Sequence, residues 1–165
     1  MRIRIIILSF FILLLCGCKG KEPPVPVVEF SATAAVYTDY KLQSRNEFQA
    51  RVTSAAQGVL SVILTSPAEL AGLSCRWGDG FEMTYNDLCL KGEEAYLPDF
   101  SFQRVIYDVL KCVRRAECTG FAEGIATFQG RIPAGEYVAE TDSAGYLKEI
   151  FVEEINLEIQ FSYKE

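Results

Sequence analysis

The chain has no histidine, one tryptophan and two methionines in its 165 residues. Without histidine it lacks both the usual general base near neutral pH and the commonest metal ligand. Basic residues are also scarce, 16 against 22 acidic, for a formal net charge of −6. That balance argues against nucleic acid, whose phosphates demand clustered lysine and arginine. It argues equally against adhesion to anionic lipid through a basic surface. No Gly-x-Ser-x-Gly elbow, phosphate-cradling loop or calcium loop occurs. Glu93-Glu94 and Glu153-Glu154 are sequence neighbours, so an extended strand points each pair to opposite faces, as solvated surface and not as an acid/base couple. The expectation is a protein that is not an enzyme and uses no cofactor and no metal.

What the chain does have is apolar material: half of its residues are hydrophobic and 12% are aromatic, which excludes intrinsic disorder. At roughly 100–200 residues per domain, this is one domain plus whatever processing removes.

The longest apolar run lies at the start. Met1-Arg2-Ile3-Arg4 is a short basic region, and Ile5–Leu15 is apolar apart from Ser9. That stretch suits the core of a signal peptide and falls short of the roughly 20 residues a membrane-spanning helix needs. It ends Leu15-Cys16-Gly17-Cys18, which resembles the lipobox of bacterial lipoproteins. The resemblance implies cleavage after Gly17 and a diacylglyceryl thioether on Cys18, the anchor of an extracytoplasmic protein on a bacterial membrane. Two acyl chains hold a protein stably where one does not. The expected organisation is a signal peptide over 1–17, a lipidated Cys18 and proline-rich tether over 18–27, and a single β-rich domain over 28–165. Pro23, Pro24 and Pro26 favour polyproline II, and nine such residues span about 28 Å.

From Val28 onward the dominant period is two, the mark of half-buried strands. Phe30, Ala32, Ala34 and Val36 share one face, as do Phe48, Ala50 and Val52. Val59–Leu64, Leu73–Trp77, Phe81–Tyr85, Phe121–Gln129, Gly135–Thr141, Tyr146–Val152 and Ile155–Tyr163 continue the pattern, giving about nine strands. One segment has helical spacing: Phe102, Val105, Ile106, Val109, Leu110 and Val113 form a single apolar stripe. Ser101 stands as its N-cap, Phe100 and Val105 as a hydrophobic staple, and Arg114 and Arg115 follow its end. The fold class expected is mainly β with one principal helix (α+β). A strongly curved antiparallel sheet, or incomplete β-barrel, wraps on the helix.

In order and spacing, the chain resembles the lipoprotein-carrier superfamily, the LolA/LolB-like proteins and their LppX-like relatives. The features that match are the lipobox and tether, Ser66-Pro67-Ala-Glu-Leu70 after the third strand, the glycine-turn hairpin and Leu88–Gly92 before the helix. Gly135-Glu-Tyr-Val, Thr141-Asp142 and Gly145-Tyr-Leu follow it. The resemblance implies a concave face, lidded by helix, that holds a lipid or the acyl part of another lipoprotein. It transfers no functional residue.

Two groups of residues remain open to more than one reading. Trp77, Phe81, Met83 and Tyr85 cluster around a tight hairpin; together with Phe102, Ile106 and Val109 of the helix they line a pocket for a hydrophobic ligand or pack as cross-strand core. A pocket between helix and sheet requires roughly 300 Å³. Cys75, Cys89, Cys112 and Cys118 are even in number in an exported chain and so read as disulfides, the simplest pairing being Cys75 with Cys89 and Cys112 with Cys118. Free buried thiols are the alternative, and the spacing matches no zinc knuckle. Functionally, the sequence points to a lipid-anchored envelope protein binding a hydrophobic ligand between sheet and helix. A structural or interaction module with a filled core, engaging a partner protein the sequence does not name, is the alternative.

Overall fold

The computed structural model describes residues 22–38, 46–55, 58–92 and 96–163. Cys18, the lipobox and Glu93-Glu94 lie outside the described residues. Eleven strands follow in order: β1 (Phe30–Thr38), β2 (Asn46–Ala55), β3 (Val59–Ser66), β4 (Ser74–Trp77), β5 (Phe81–Tyr85) and β6 (Leu88–Gly92) precede the helix α1 (Phe102–Cys112). After it come β7 (Glu117–Ala122), β8 (Ile125–Ile132), β9 (Gly135–Thr141), β10 (Leu147–Val152) and β11 (Leu157–Ser162).

All pairings are antiparallel, in the single sheet order β6-β5-β4-β3-β2-β1-β11-β10-β9-β8-β7. The chain therefore meanders outward from β1, crosses through α1 to the far edge and meanders back until β11 lies beside β1. Strands β6 and β7 do not pair with each other, so the sheet stays open and is not a closed barrel. The expected class, mainly β with one principal helix on an incomplete barrel, is the class observed.

The period-two reading places the core correctly. Phe30, Ala32, Ala34 and Val36 of β1 are buried, as are Leu60, Val62 and Leu64 of β3, and Leu157, Ile159 and Phe161 of β11. Val105, Ile106 and Val109 of the helix, and Val113 in the 3-10 turn that follows it, are wholly buried in the core. Each such aliphatic side chain contributes about 1.5–3 kcal/mol on burial. Phe48 stacks on Phe102 with centroids 5.8 Å apart, fixing the first turn of α1 to β2.

Three local expectations are corrected. The stretch Phe121–Gln129 is not one strand: Glu123 and Gly124 take left-handed φ of 54° and 80° and turn β7 into β8. A tight hairpin needs φ > 0 at its centre, and Glu-Gly signals this far more weakly than Asn-Gly. Leu88–Gly92, outside the nine strands expected, is a strand; Asn86, at φ 51°, turns into it. The third concerns the start of α1. Ser101 has N-cap geometry, but its hydroxyl makes no cap bond and is buried without a hydrogen-bond partner among the described residues. Phe100 remains 56% exposed while Val105 is fully buried, so the staple does not close as a buried pair.

The proline-rich segment that precedes β1 ends packed onto the domain. Pro26 is buried, and the Val27 N–H donates to the Gly145 carbonyl at 2.8 Å. Gly145 sits in a turn organised by Asp142, whose Oδ1 accepts from the N–H groups of Ala144 (2.8 Å) and Tyr146 (3.0 Å). A side chain at 145 would run into the Val25 carbonyl, and the φ of 90° is itself one that favours glycine.

Candidate functional site

The sequence-predicted pocket residues separate into two groups. Trp77 and Phe81 are 1% and 2% exposed, with ring centroids 5.3 Å apart. Tyr107 of α1 stacks on Trp77 at 4.8 Å and 13°, and the Lys111 ammonium lies 4.7 Å above the Tyr107 ring. With Phe102, Ile106 and Val109 likewise buried, this end of the cluster is packed core. The space between helix and strands is a cleft of about 190 Å³ between Leu110, Lys111 and Arg114 on one side and Val28, Ser54 and Leu60 on the other. That is smaller than the cavity expected there, because aromatic stacking and the aliphatic stripe of α1 fill the interior.

Met83 and Tyr85 belong elsewhere. Antiparallel register aligns Cys75 with Met83 and Met83 with Leu90, and pairs Tyr85 with Leu88, all on the core side of the sheet. Past the part of the face that packs against α1, this side opens into an apolar groove of about 330 Å³ lined by Leu73, Met83, Tyr85, Leu88 and Leu90. Leu88 is 75% exposed and Leu90 39%, with Leu70 nearby at 37%. The Tyr85 hydroxyl donates to the Glu69 carbonyl, tying the groove wall to the 3-10 turn at Ala68–Leu70. Leu73, Leu88 and Leu90 are the lining residues that sequence reasoning missed. The signal was there: Leu88-x-Leu90 directly follows a two-residue turn, so it must face the way Met83 and Tyr85 face.

The opposite side of the same strands is polar and alternates in sign. Arg76, Glu82 and Lys91 are aligned across β4, β5 and β6. The Lys91 ammonium lies 3.6 Å from Glu82 Oε1, and the Cys89 thiol donates to the same carboxylate at 3.3 Å. That hydrogen bond and the neighbouring negative charge raise the Cys89 thiol above its ordinary range.

The four described cysteines are free thiols. The expected Cys75–Cys89 pairing is blocked by the pleat: Cys75 on β4 shares a face with Met83, whereas Cys89 on β6, two strands away, aligns with Thr84 on the other face. Cys75 is fully buried, and desolvation pushes its thiol up to about 11. Cys112 is exposed at the end of α1; Cys118 on β7 donates to the Gly120 carbonyl at 3.4 Å. Among the described residues no group of three or more cysteine or carboxylate side chains is placed to hold a metal ion.

A larger hollow of about 770 Å³, with a wall of mixed polarity, opens around Arg131, Glu136, Tyr137, Val138, Phe151 and Glu154. Its charges answer one another: Glu154 Oε1 accepts the Glu136 N–H at 2.9 Å, which lowers the Glu154 carboxyl, and Arg131 lies 3.7 Å from Glu136.

No family model matches the chain, and no curated protein matches it. Among solved structures, an uncharacterized conserved protein from Thermus thermophilus is similar with a TM-score of 0.50 and 12% identity, over 84% of this chain and 81% of that one. A LolA superfamily protein from Nitrosomonas europaea gives 0.45 and 8%, over 86% and 89%. A chain in the structure of the CwlD amidase from Clostridioides difficile in complex with the GerS lipoprotein gives 0.49 and 13%, over 96% and 93%. The likeness to the Thermus protein is one of fold alone.

Proposed function

We propose that this protein is a lipid-anchored, extracytoplasmic component of a bacterial envelope that binds a hydrophobic ligand, a lipid or acyl chain, in the groove beside β6. The observation that carries the reading is the groove itself: an apolar hollow of about 330 Å³ whose leucines stand in solvent. Exposed leucines gathered in a concavity mark a binding surface more often than a defect. The anchor rests on the lipobox-like Leu15-Cys16-Gly17-Cys18. The tether's seat on Gly145 is compatible with it, since that turn joins β9 to β10, in the half of the sheet away from β6. No catalytic role is part of this reading.

The test is native mass spectrometry of the full chain followed by organic extraction, with titration of a fluorescent fatty acid. Replacing both leucines, Leu88→Asp with Leu90→Asp, is expected to weaken probe binding at least about tenfold, because each removes exposed apolar contact without opening the core. Unfolding free energies from urea titration should stay within about 0.5 kcal/mol of the parent, as for surface sites. Unchanged probe binding in the double variant rejects the groove. The filled space beneath α1 favours a second reading, an interaction module with no ligand; a bare chain that also ignores the probe supports that one.

A further inference from the structure

We infer that the free edge of β6 is a docking site for an extended segment of a partner protein, which adds a twelfth strand and walls the groove's open side. The inference rests on the proposed groove only for its inner contacts. Among the described residues nothing pairs with the outer side of β6, and all five of its residues are exposed. Every second residue of an edge strand turns its N–H and C=O groups outward, a ready template for another strand.

The two edges of the sheet are not equivalent. Strand β7 is interrupted by a register shift between Cys118 and Gly120, and such a bulge twists an edge away from pairing. Strand β6 runs in unbroken register with β5 from Leu88 to Gly92. It also specifies what would pair with it. On the core side it presents Leu88 and Leu90, while at Gly92 the Tyr96 ring already occupies the place of a side chain. On the other side, the ladder Arg76, Glu82, Lys91 runs plus, minus, plus and ends at the edge on Lys91, whose side chain is 71% exposed. The complementary strand therefore alternates, with apolar residues opposite the leucines and a carboxylate opposite Lys91. Cross-strand pairs of opposite charge favour a register, and like charges oppose it.

The test uses the full chain and two acetylated octapeptides, one alternating valine with glutamate and one alternating valine with lysine, at low salt. The glutamate peptide is expected to slow amide hydrogen exchange over Leu88–Gly92 and to bind about three- to tenfold tighter than the lysine peptide. In Lys91→Glu the order should reverse, with a cooperative urea transition confirming that the variant is folded even though the new carboxylate faces Glu82. Absence of protection at Leu88–Gly92, or protection at Glu117–Ala122 instead, overturns the proposal. So does concentration-dependent protection without peptide, which would make a second copy of the chain the occupant. Displacement of the peptide by palmitate would mean that it sat in the groove merely as an apolar ligand, and overturns the proposal too. A chain that binds the peptide but no fatty acid refutes the lipid reading and leaves the strand site standing.

Discussion

Tyr137 is 1% exposed, yet its hydroxyl has no hydrogen-bond partner among the described residues. Burial pushes that hydroxyl up to about 12, so it stays neutral throughout the physiological range. Its ring occupies the space a side chain at Gly130 would take: a Cβ there would lie 2.7 Å from the hydroxyl oxygen. An unmade hydrogen bond at a buried group costs about 1–3 kcal/mol. Tyr137→Phe is therefore expected to be neutral or to stabilise by up to about 1 kcal/mol in urea unfolding, where a buried tyrosine usually resists the change. A loss above about 1 kcal/mol would show that the hydroxyl is satisfied. The thiols give a second check at this scale. With an Ellman reagent at pH 8, exposed Cys112 should react quickly and Cys89, whose thiol Glu82 holds up, more slowly, whereas Cys75, buried and held protonated, should react only on unfolding. Recovery of fewer than four thiols beyond residue 18, in denaturant without reductant, would mean that a disulfide forms.

At the scale of elements, α1 separates what spacing reveals from what it hides. Its stripe was legible because Val105, Ile106, Val109 and Val113 must share one face of any helix, and all four are buried. Its cap was not, because a serine in the right place says nothing of where its hydroxyl will point. Ser101→Ala should accordingly cost well under the ~1 kcal/mol of a lost cap, whereas Ile106→Ala should cost about 2–5 kcal/mol by chemical denaturation. Equal losses in the two variants would contradict this packing. The strands divide in the same way. Strands β1 and β11 announce themselves through alternation against a buried face, while β6 is exposed at every residue and leaves little burial pattern to read. The groove was therefore half visible, through Met83 and Tyr85. The cluster Trp77, Phe81, Met83 and Tyr85 reads as one site in sequence, but the strands carry its two halves to different surroundings, one beneath α1 and one beyond it. Cys75 and Cys89 illustrate the remaining limit, since which face a cysteine takes depends on register across three strands.

On the scale of the whole molecule, the first and last strands meet at the midline. Strand β11 is inserted between β1 and β10, and it alone joins the half-sheet β6 to β1 with the half-sheet β10 to β7. Synthesis proceeds from Phe30 toward Ser162, so this seam is the last part of the sheet that can form. Pairing between residues as distant as Val36 and Ile159 is slow to find. A chain cut short before Leu157 is therefore expected to leave both inner edges bare and to aggregate, so that the final strand is what completes the sheet.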